Sequence, residues 1–394
     1  MRKILSLLLL SQVALFGAID FSSIDPFQEK WTRAEIEERL GLFLQKDGNI
    51  GSYFSIDQDA LVLYNTPDTQ KDREVEYRLK FAREKQSFPQ REGRKDLVGV
   101  KIALDPGHFG GPYSRLEERY IDIPPSLERS EPIQFDEGTL SLLTAMYLKI
   151  LLEKEGAIVM ITRDQVGKGI YKEDFFDWLR KNPNLWAGEI SLNKLFRKYY
   201  NPLDLRARAE KINAFAPDLS IMIHYNSHHV EEAYSSNNCV SANNYNLVFI
   251  PGAFCRGELA EYENRYEFLR LLASEDLAQS LSLSQAILKQ FTKHLGVPIV
   301  AKEDGARYLD KVCLQLQEGI FARNLALTRL IHGPVCYGET LVQNNIDECK
   351  NLSQTDFVID GKKCSSRIKQ VAEAYFDGIK EYLLLAEKPK KEIQ

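Results

Sequence analysis

Residues 97–108 read LVGVKIALDPGH. Apart from Lys101 the first eight are apolar or glycine, with none of the alternation that marks a strand wet on one face, so the run reads as a strand buried on both sides. Asp105, Pro106 and Gly107 then turn the chain out of it and leave His108 at its carboxyl end. Outward from this strand the pattern repeats. Residues 138–154 form an amphipathic helix with Leu140, Leu143, Tyr147 and Ile150 on one face, and 157–162 a second strand. A helix over 206–215, strands over 219–223 and 246–250, a helix over 277–295 and a strand over 334–337 follow. A closing helix over 366–385 turns Ile368, Val371, Tyr375, Ile379 and Tyr382 inward. This alternation predicts a three-layer α/β/α domain with a mostly parallel sheet over 97–386, ending in a polar tail over 387–394.

Upstream, 19–96 reads as a small α+β unit and linker. It holds a helix over 34–45, short strands over 53–56 and 60–64, and a strictly alternating strand over 74–82, before a polar linker over 83–95. The first eighteen residues have Arg2 and Lys3 before an apolar stretch and a small-residue exit, the pattern of a signal peptide. Cleavage after Gly17 or Ala18 is expected, although Leu15 or Phe16 at position −3 leaves an uncleaved anchor open. The expected location is therefore the periplasm or another extracytoplasmic space. The 394 residues carry a net charge of −5, which gives no basic excess to neutralise phosphates and argues against nucleic acid as partner. A monomer is expected. All six cysteines lie in the second half, and the short-loop pairs Cys239 with Cys255 and Cys349 with Cys364 are the favoured disulfides.

Four polar residues sit where strands end or a helix begins: His108, Glu137, His224 and Glu339. Ligands of open α/β sheets bind beyond the carboxyl ends of the strands, so these groups can meet despite their separation in sequence. Two imidazoles and a carboxylate suit a catalytic zinc, and a further carboxylate can carry protons. Taken singly, each has an ordinary reading: a hydrogen-bonded histidine at a strand end, a carboxylate at a helix amino terminus, a loop carboxylate. His228 and His229 read as loop residues.

IALDPGHFGG (102–111), Glu137 before a helix, GAIVMITRD (156–164), LRAR (205–208), IMIHYN (221–226) and Glu339 followed by Asn345 resemble, in that order, the zinc-dependent N-acetylmuramoyl-L-alanine amidases of the type 3 class. The resemblance implies that His108, Glu137 and His224 bind one Zn²⁺ and that Glu339 is the general base and acid. It implies hydrolysis, in peptidoglycan, of the amide between the lactyl group of N-acetylmuramic acid and L-alanine. Asp105 would shape the turn that presents His108 and support that ligand from behind, Asn226 is a candidate for substrate contact, and a cell-wall or divisome activator is a further partner. Arg323 could orient Glu339 or a substrate carboxylate, or make a structural ion pair. Phe109, Tyr225 and Ser227 depart from the usual small residues. Two other readings are a zinc peptidase cutting within the stem peptide and a peptidoglycan-binding protein without turnover. Stretches 109–136, 165–203 and 230–268 look inserted into the core. The second is expected to form a lid or groove wall, with helices over 174–180 and 191–200 and with Trp186, Tyr199 and Tyr200 facing substrate.

Overall fold

The computed structural model describes residues 20–46, 48–86, 93–126, 129–185, 190–228, 240–301 and 307–384. The signal-peptide stretch, Trp186, His229, Cys239 and the polar tail lie outside them. Helices α1 (Arg33–Arg39), α2 (Glu137–Lys154), α3 (Asn201–Phe215), α4 (Tyr262–Ala273), α5 (Asp276–Leu295) and α6 (Ser366–Leu384) frame the molecule. Strands β1 (Phe54–Ile56), β2 (Ala60–Tyr64) and β3 (Val75–Lys80) make a small antiparallel sheet. A hairpin pairs β5 (Tyr120–Ile123) with β6 (Ile133–Asp136).

The seven-stranded central sheet is built from β4 (Lys101–Pro106), β7 (Ile158–Ile161), β8 (Leu219–Asn226), β9 (Leu247–Ile250), β10 (Cys313–Gln317), β11 (Ile320–Arg323) and β12 (Val335–Val342), in the order β10-β11-β9-β12-β8-β4-β7. β7, β4, β8 and β12 run parallel; β9 and β11 are parallel to each other but antiparallel to β12, and β10 is antiparallel to β11. All eight residues of β8 are buried, as a strand covered on both faces requires. Ile102, Leu104, Ile221 and Ile223 face α2, α5 and α6, whereas Ala103 and Met222 face α3. The chain passes from β4 to β7 on one side and then to β8 on the other. The strand order thus reverses between β4 and β8, where such folds open a crevice for ligands.

Three expectations change. The stretch 230–268 supplies β9, an interior strand of the central sheet, and most of α4, so it belongs to the core. Two of its acidic residues are tied down: Glu267 is buried against Arg270, and Glu263 pairs with Arg206. Cys349 and Cys364 are free thiols in separate packing groups, Cys349 with Ile121 and Ile133 and Cys364 in the main core. The N-terminal unit has its own sheet, but its core runs on into the large domain. Trp31 Nε1 donates to Ala273 O at 2.6 Å, the buried Arg39 donates to carbonyls at the end of α4, and Phe54 stacks on Phe268. Arg265 of α4 clasps Glu76 with two hydrogen bonds of 2.6 and 2.9 Å.

Stretch 165–203 is helical at Phe175–Lys181 and Leu192–Leu195, and continues through a π turn at Phe196–Tyr200 into α3. Phe175, Trp178, Leu179, Leu195, Phe196 and Tyr200 form a small core closed by Phe109 and Tyr113. Tyr200 is therefore packed inward, its hydroxyl on Glu173 O at 2.7 Å, and does not face a groove. Phe109 takes the place of the small residue expected after His108 because it plugs this satellite core.

Candidate active site

His108 leaves β4 in the left-handed backbone region, at φ 56°, which costs a non-glycine residue about 1 kcal/mol and persists only when its surroundings hold it. Glu117 does so: its Oε1 lies 3.1 Å from His108 Nδ1, and its Oε2 accepts from Phe109 N at 2.8 Å. With Nδ1 engaged, Nε2 points to Glu137 Oε1 at 3.2 Å. Glu137 opens α2, whose first turn is capped by the Asp136 carboxylate accepting from Thr139 N at 2.8 Å. The same Glu137 Oε1 lies 3.0 Å from Nδ1 of His224, near the end of β8. The His224 ring is stacked on Tyr337, with centroids 4.3 Å apart and planes 13° off parallel.

The three donors lie within 4.8 Å of one another. Ligands about 2.0 Å from a tetrahedral zinc are themselves about 3.3 Å apart. The 3.0 and 3.2 Å separations from Glu137 Oε1 are close to this, and two nitrogens with one carboxylate oxygen are a zinc donor set. The electrostatics agree. Burial pushes the His108 imidazole down, but Glu137 and Glu117 overcome it and raise it to about 9, so the site attracts positive charge. Burial raises the Glu137 carboxyl, yet the two imidazoles hold it well below its usual range. Burial, followed by the neighbouring imidazolium, lowers His224.

Glu339 lies on β12 in register with His224 on β8. Burial and then Glu137 push its carboxyl up to about 8, against the opposing charges of Arg323, His108 and Arg119. A carboxyl poised near neutrality can accept and return a proton. Arg323, on β11, lies over Phe249 at 5.1 Å and acts on Glu339 through its charge.

Asp105 is placed differently from expectation. Asp105 is buried beneath the site, where it accepts from Thr162 and lies 3.5 Å from Arg208; the carboxylate on His108 is Glu117. Asn226 is 5% exposed, its Oδ1 taken by Ser227 N, and its Nδ2 has no partner among the described residues. His228 is held by Tyr245, Asn243 and Asn344 and serves the loop. Asn345 caps the helix Ile346–Leu352.

Sequence reasoning missed Glu117, Gln343 and Arg119. Gln343 Nε2 donates to Glu137 Oε2 at 3.1 Å, and Arg119 Nε lies 3.8 Å from that oxygen. Arg163, inside a motif already quoted, donates to Gly107 O at 2.7 Å and Gly138 O at 2.8 Å, and so joins the His108 loop to the start of α2. Glu117 and Gln343 stand in no periodic or motif context that could have marked them.

Residues 102–381 match the family described as N-acetylmuramoyl-L-alanine amidase, and the chain belongs to that family of peptidoglycan amidases. Among solved structures it is similar to the CwlD amidase of Clostridioides difficile, solved in complex with the GerS lipoprotein (19% identity, 72% of this chain and 98% of that one, TM-score 0.41). It is also similar to the amidase Ami1 of Mycobacterium smegmatis (13%, 73% and 99%, TM-score 0.43) and to the catalytic domain of CwlV from Bacillus (Paenibacillus) polymyxa (16%, 72% and 98%, TM-score 0.37). No curated protein matches it.

Proposed function

We propose that His108, Glu137 and His224 hold one zinc ion and that Glu339 is the general base and acid for cleavage of the N-acetylmuramoyl-L-alanine amide. The observation that carries this reading is the meeting of three zinc-type donors about one point, with a second carboxyl in register beside them. When bound, zinc would supply a Lewis acid for the amide carbonyl and depress the pKa of water. The chain's own residues do the rest. Glu339 takes the proton of the attacking water and returns it to the departing alanine amine. Arg323 moderates the rise in the Glu339 carboxyl that burial and Glu137 produce. Glu117 orients His108, and Gln343 orients Glu137. Asn226, with its unspent amide, remains a candidate for substrate contact.

Peptidoglycan is the substrate of the family, so action outside the cytoplasm follows, with residues 1–18 as the export signal. No helix among the described residues is long and apolar enough to cross a membrane. We also assign residues 97–386 as the catalytic unit and a cell-wall or divisome activator as its partner. The test is digestion of purified sacculi. New amino-terminal L-alanine on intact stem peptides is expected; shortened stems or no product would overturn the reading. Glu339→Gln should keep near-stoichiometric zinc while turnover falls by roughly 10²–10⁴, the usual worth of an acid/base residue.

A further inference from the structure

Glu117, Glu118 and Arg119 are consecutive, yet their side chains go three ways. Glu117 turns inward to His108, and Arg119 approaches Glu137. Glu118, with left-handed backbone at φ 58°, lines a cleft of about 470 Å³ with Ser191, Asn193, Lys194, Arg197 and Lys198. The cleft therefore begins one residue away from both neighbours of the metal-type site.

Its far wall follows from helix periodicity. Leu195, Phe196 and Tyr200 are buried in the satellite core, which leaves Lys194, Arg197 and Lys198, spaced i, i+3 and i+4, on the outer face. Asn193 ties the wall to the helical turn that carries Glu117 by donating to Arg115 O at 3.0 Å. Glu118 occupies the cleft: one oxygen pairs with Arg197, and the other accepts from Asn193 Nδ2 at 3.4 Å. Among the described residues no carboxylate pairs with Lys194 or Lys198. Among the described residues three cations thus face a single internal carboxylate, on a protein whose net charge is −5. A purely structural ion pair needs one cation; two more beside it leave charge and volume for a further anion.

We propose that this cleft recognises the carboxylates of the stem peptide and that Glu118 is an internal occupant which yields to them. The proposal rests on the amidase reading. Beyond the cut amide the peptide begins at L-alanine and ends in a carboxylate unless cross-linked or amidated, whereas N-acetylated sugar carries no comparable charge. Charge at the cleft therefore directs the peptide toward the 165–203 stretch and the glycan away from it. The Glu118–Arg197 pair is exposed, with 45% and 48% of the two side chains accessible, so exchanging it for a substrate carboxylate costs little.

The test uses the full chain loaded with zinc and fluorescent stem peptides that begin with L-alanine and end as the free acid or as the amide. Binding is measured by anisotropy, and kcat and KM are measured on the corresponding muramoyl peptides. The acid form should bind more tightly, by roughly two- to five-fold for each cation engaged at low salt, and the preference should shrink as salt rises. The triple variant Lys194→Gln, Arg197→Gln, Lys198→Gln should bring the acid-to-amide ratio near one through KM, not kcat. Glu118→Gln should move it the other way and tighten the acid form. Equal binding of acid and amide by the wild type, or shifts of the same sign in the triple variant and Glu118→Gln, would overturn the proposal. Binding does not need turnover, so a wrong cleavage product together with a retained acid preference would defeat the amidase reading and leave the cleft standing.

Discussion

Gly107→Ala tests the site at its tightest point. A Cβ at residue 107 would lie 2.2 Å from Cε1 of His224, 2.4 Å from Nε2 and 2.5 Å from Nδ1. Ordinary carbon contacts need about 3.5 Å, so the ring must move by roughly 1 Å. It has little room to do so, because Tyr337 is stacked on it at 4.3 Å and the His108 ring stands edge-on at 4.9 Å. Gly107 is not among the residues with positive φ, so alanine meets no backbone penalty and the effect is steric. A ligand displaced by about 1 Å exceeds the roughly 0.2 Å tolerance of a metal bond several-fold. Zinc affinity should therefore fall by at least the ~100-fold that loss of an outer-shell partner can cause, with activity falling in parallel. Overpacking should cost about 1–3 kcal/mol of stability. The assay is titration of the metal-free protein against a competing chelator, with urea melts of Gly107→Ala, His224→Ala and the double variant. Removing the ring removes the clash, so the double variant should recover stability relative to Gly107→Ala. Wild-type zinc affinity in Gly107→Ala, or additive losses in the cycle, would refute this placement of His224.

Glu117→Gln should weaken zinc binding by about 10- to 100-fold, measured in the same titration, because the carboxylate that orients His108 loses its charge. Arg265→Ala leaves Glu76 without its partner in a contact where the side chains are only 6% and 11% exposed, and should cost about 3 kcal/mol in a urea melt. Since the N-terminal unit shares the core of the large domain, that melt should show one transition, not two. Burial pushes the Cys349 thiol up to about 12 and also raises that of Cys364, so at pH 8 neither should react with a thiol reagent until the protein is unfolded, and reductant should not change stability through this pair.

The central strands were legible because burial on both faces writes itself as an unbroken apolar run, as in 102–104 and 221–223. The two histidines were legible because each such run ends in one. What pairs with them was not. Glu117 lies on a single helical turn inside an irregular stretch, and Gln343 lies just beyond β12, at positions fixed only once β4, β8, β12 and α2 are assembled. β10 escaped because Gln315 and Gln317 alternate with apolar residues on an edge strand, which gives a weaker signal than a buried run. The assignment of 230–268 as an insertion failed for a related reason. A strand over 246–250 was legible, but β9 is only four residues long and runs antiparallel to β12, so its place inside the central sheet was fixed only by the assembled strand order.

The buried charges beneath the site explain how so strained a loop is kept. An isolated buried ion pair roughly breaks even against apolar packing, so Arg163 and Arg208 are not there for stability alone. Their donors go largely to backbone carbonyls. Pro106 O receives Arg163 Nε at 3.1 Å and Arg208 Nη1 at 3.0 Å, while Arg163 Nη2 reaches both Gly107 O and Gly138 O. Asp204 pairs with Arg208 Nε at 2.7 Å and, through its other oxygen, accepts from Ile170 N at 2.6 Å and Tyr171 N at 2.9 Å. One guanidinium thus fixes the turn that presents His108 against the helix start that presents Glu137, and the other links that turn to the root of the 165–203 stretch. A lysine, lacking the planar fork, could not hold several carbonyls in fixed relation. The network therefore sets the distance between two donors on separate elements, and it does so on a frame that also anchors the root of the 165–203 stretch at Ile170 and Tyr171.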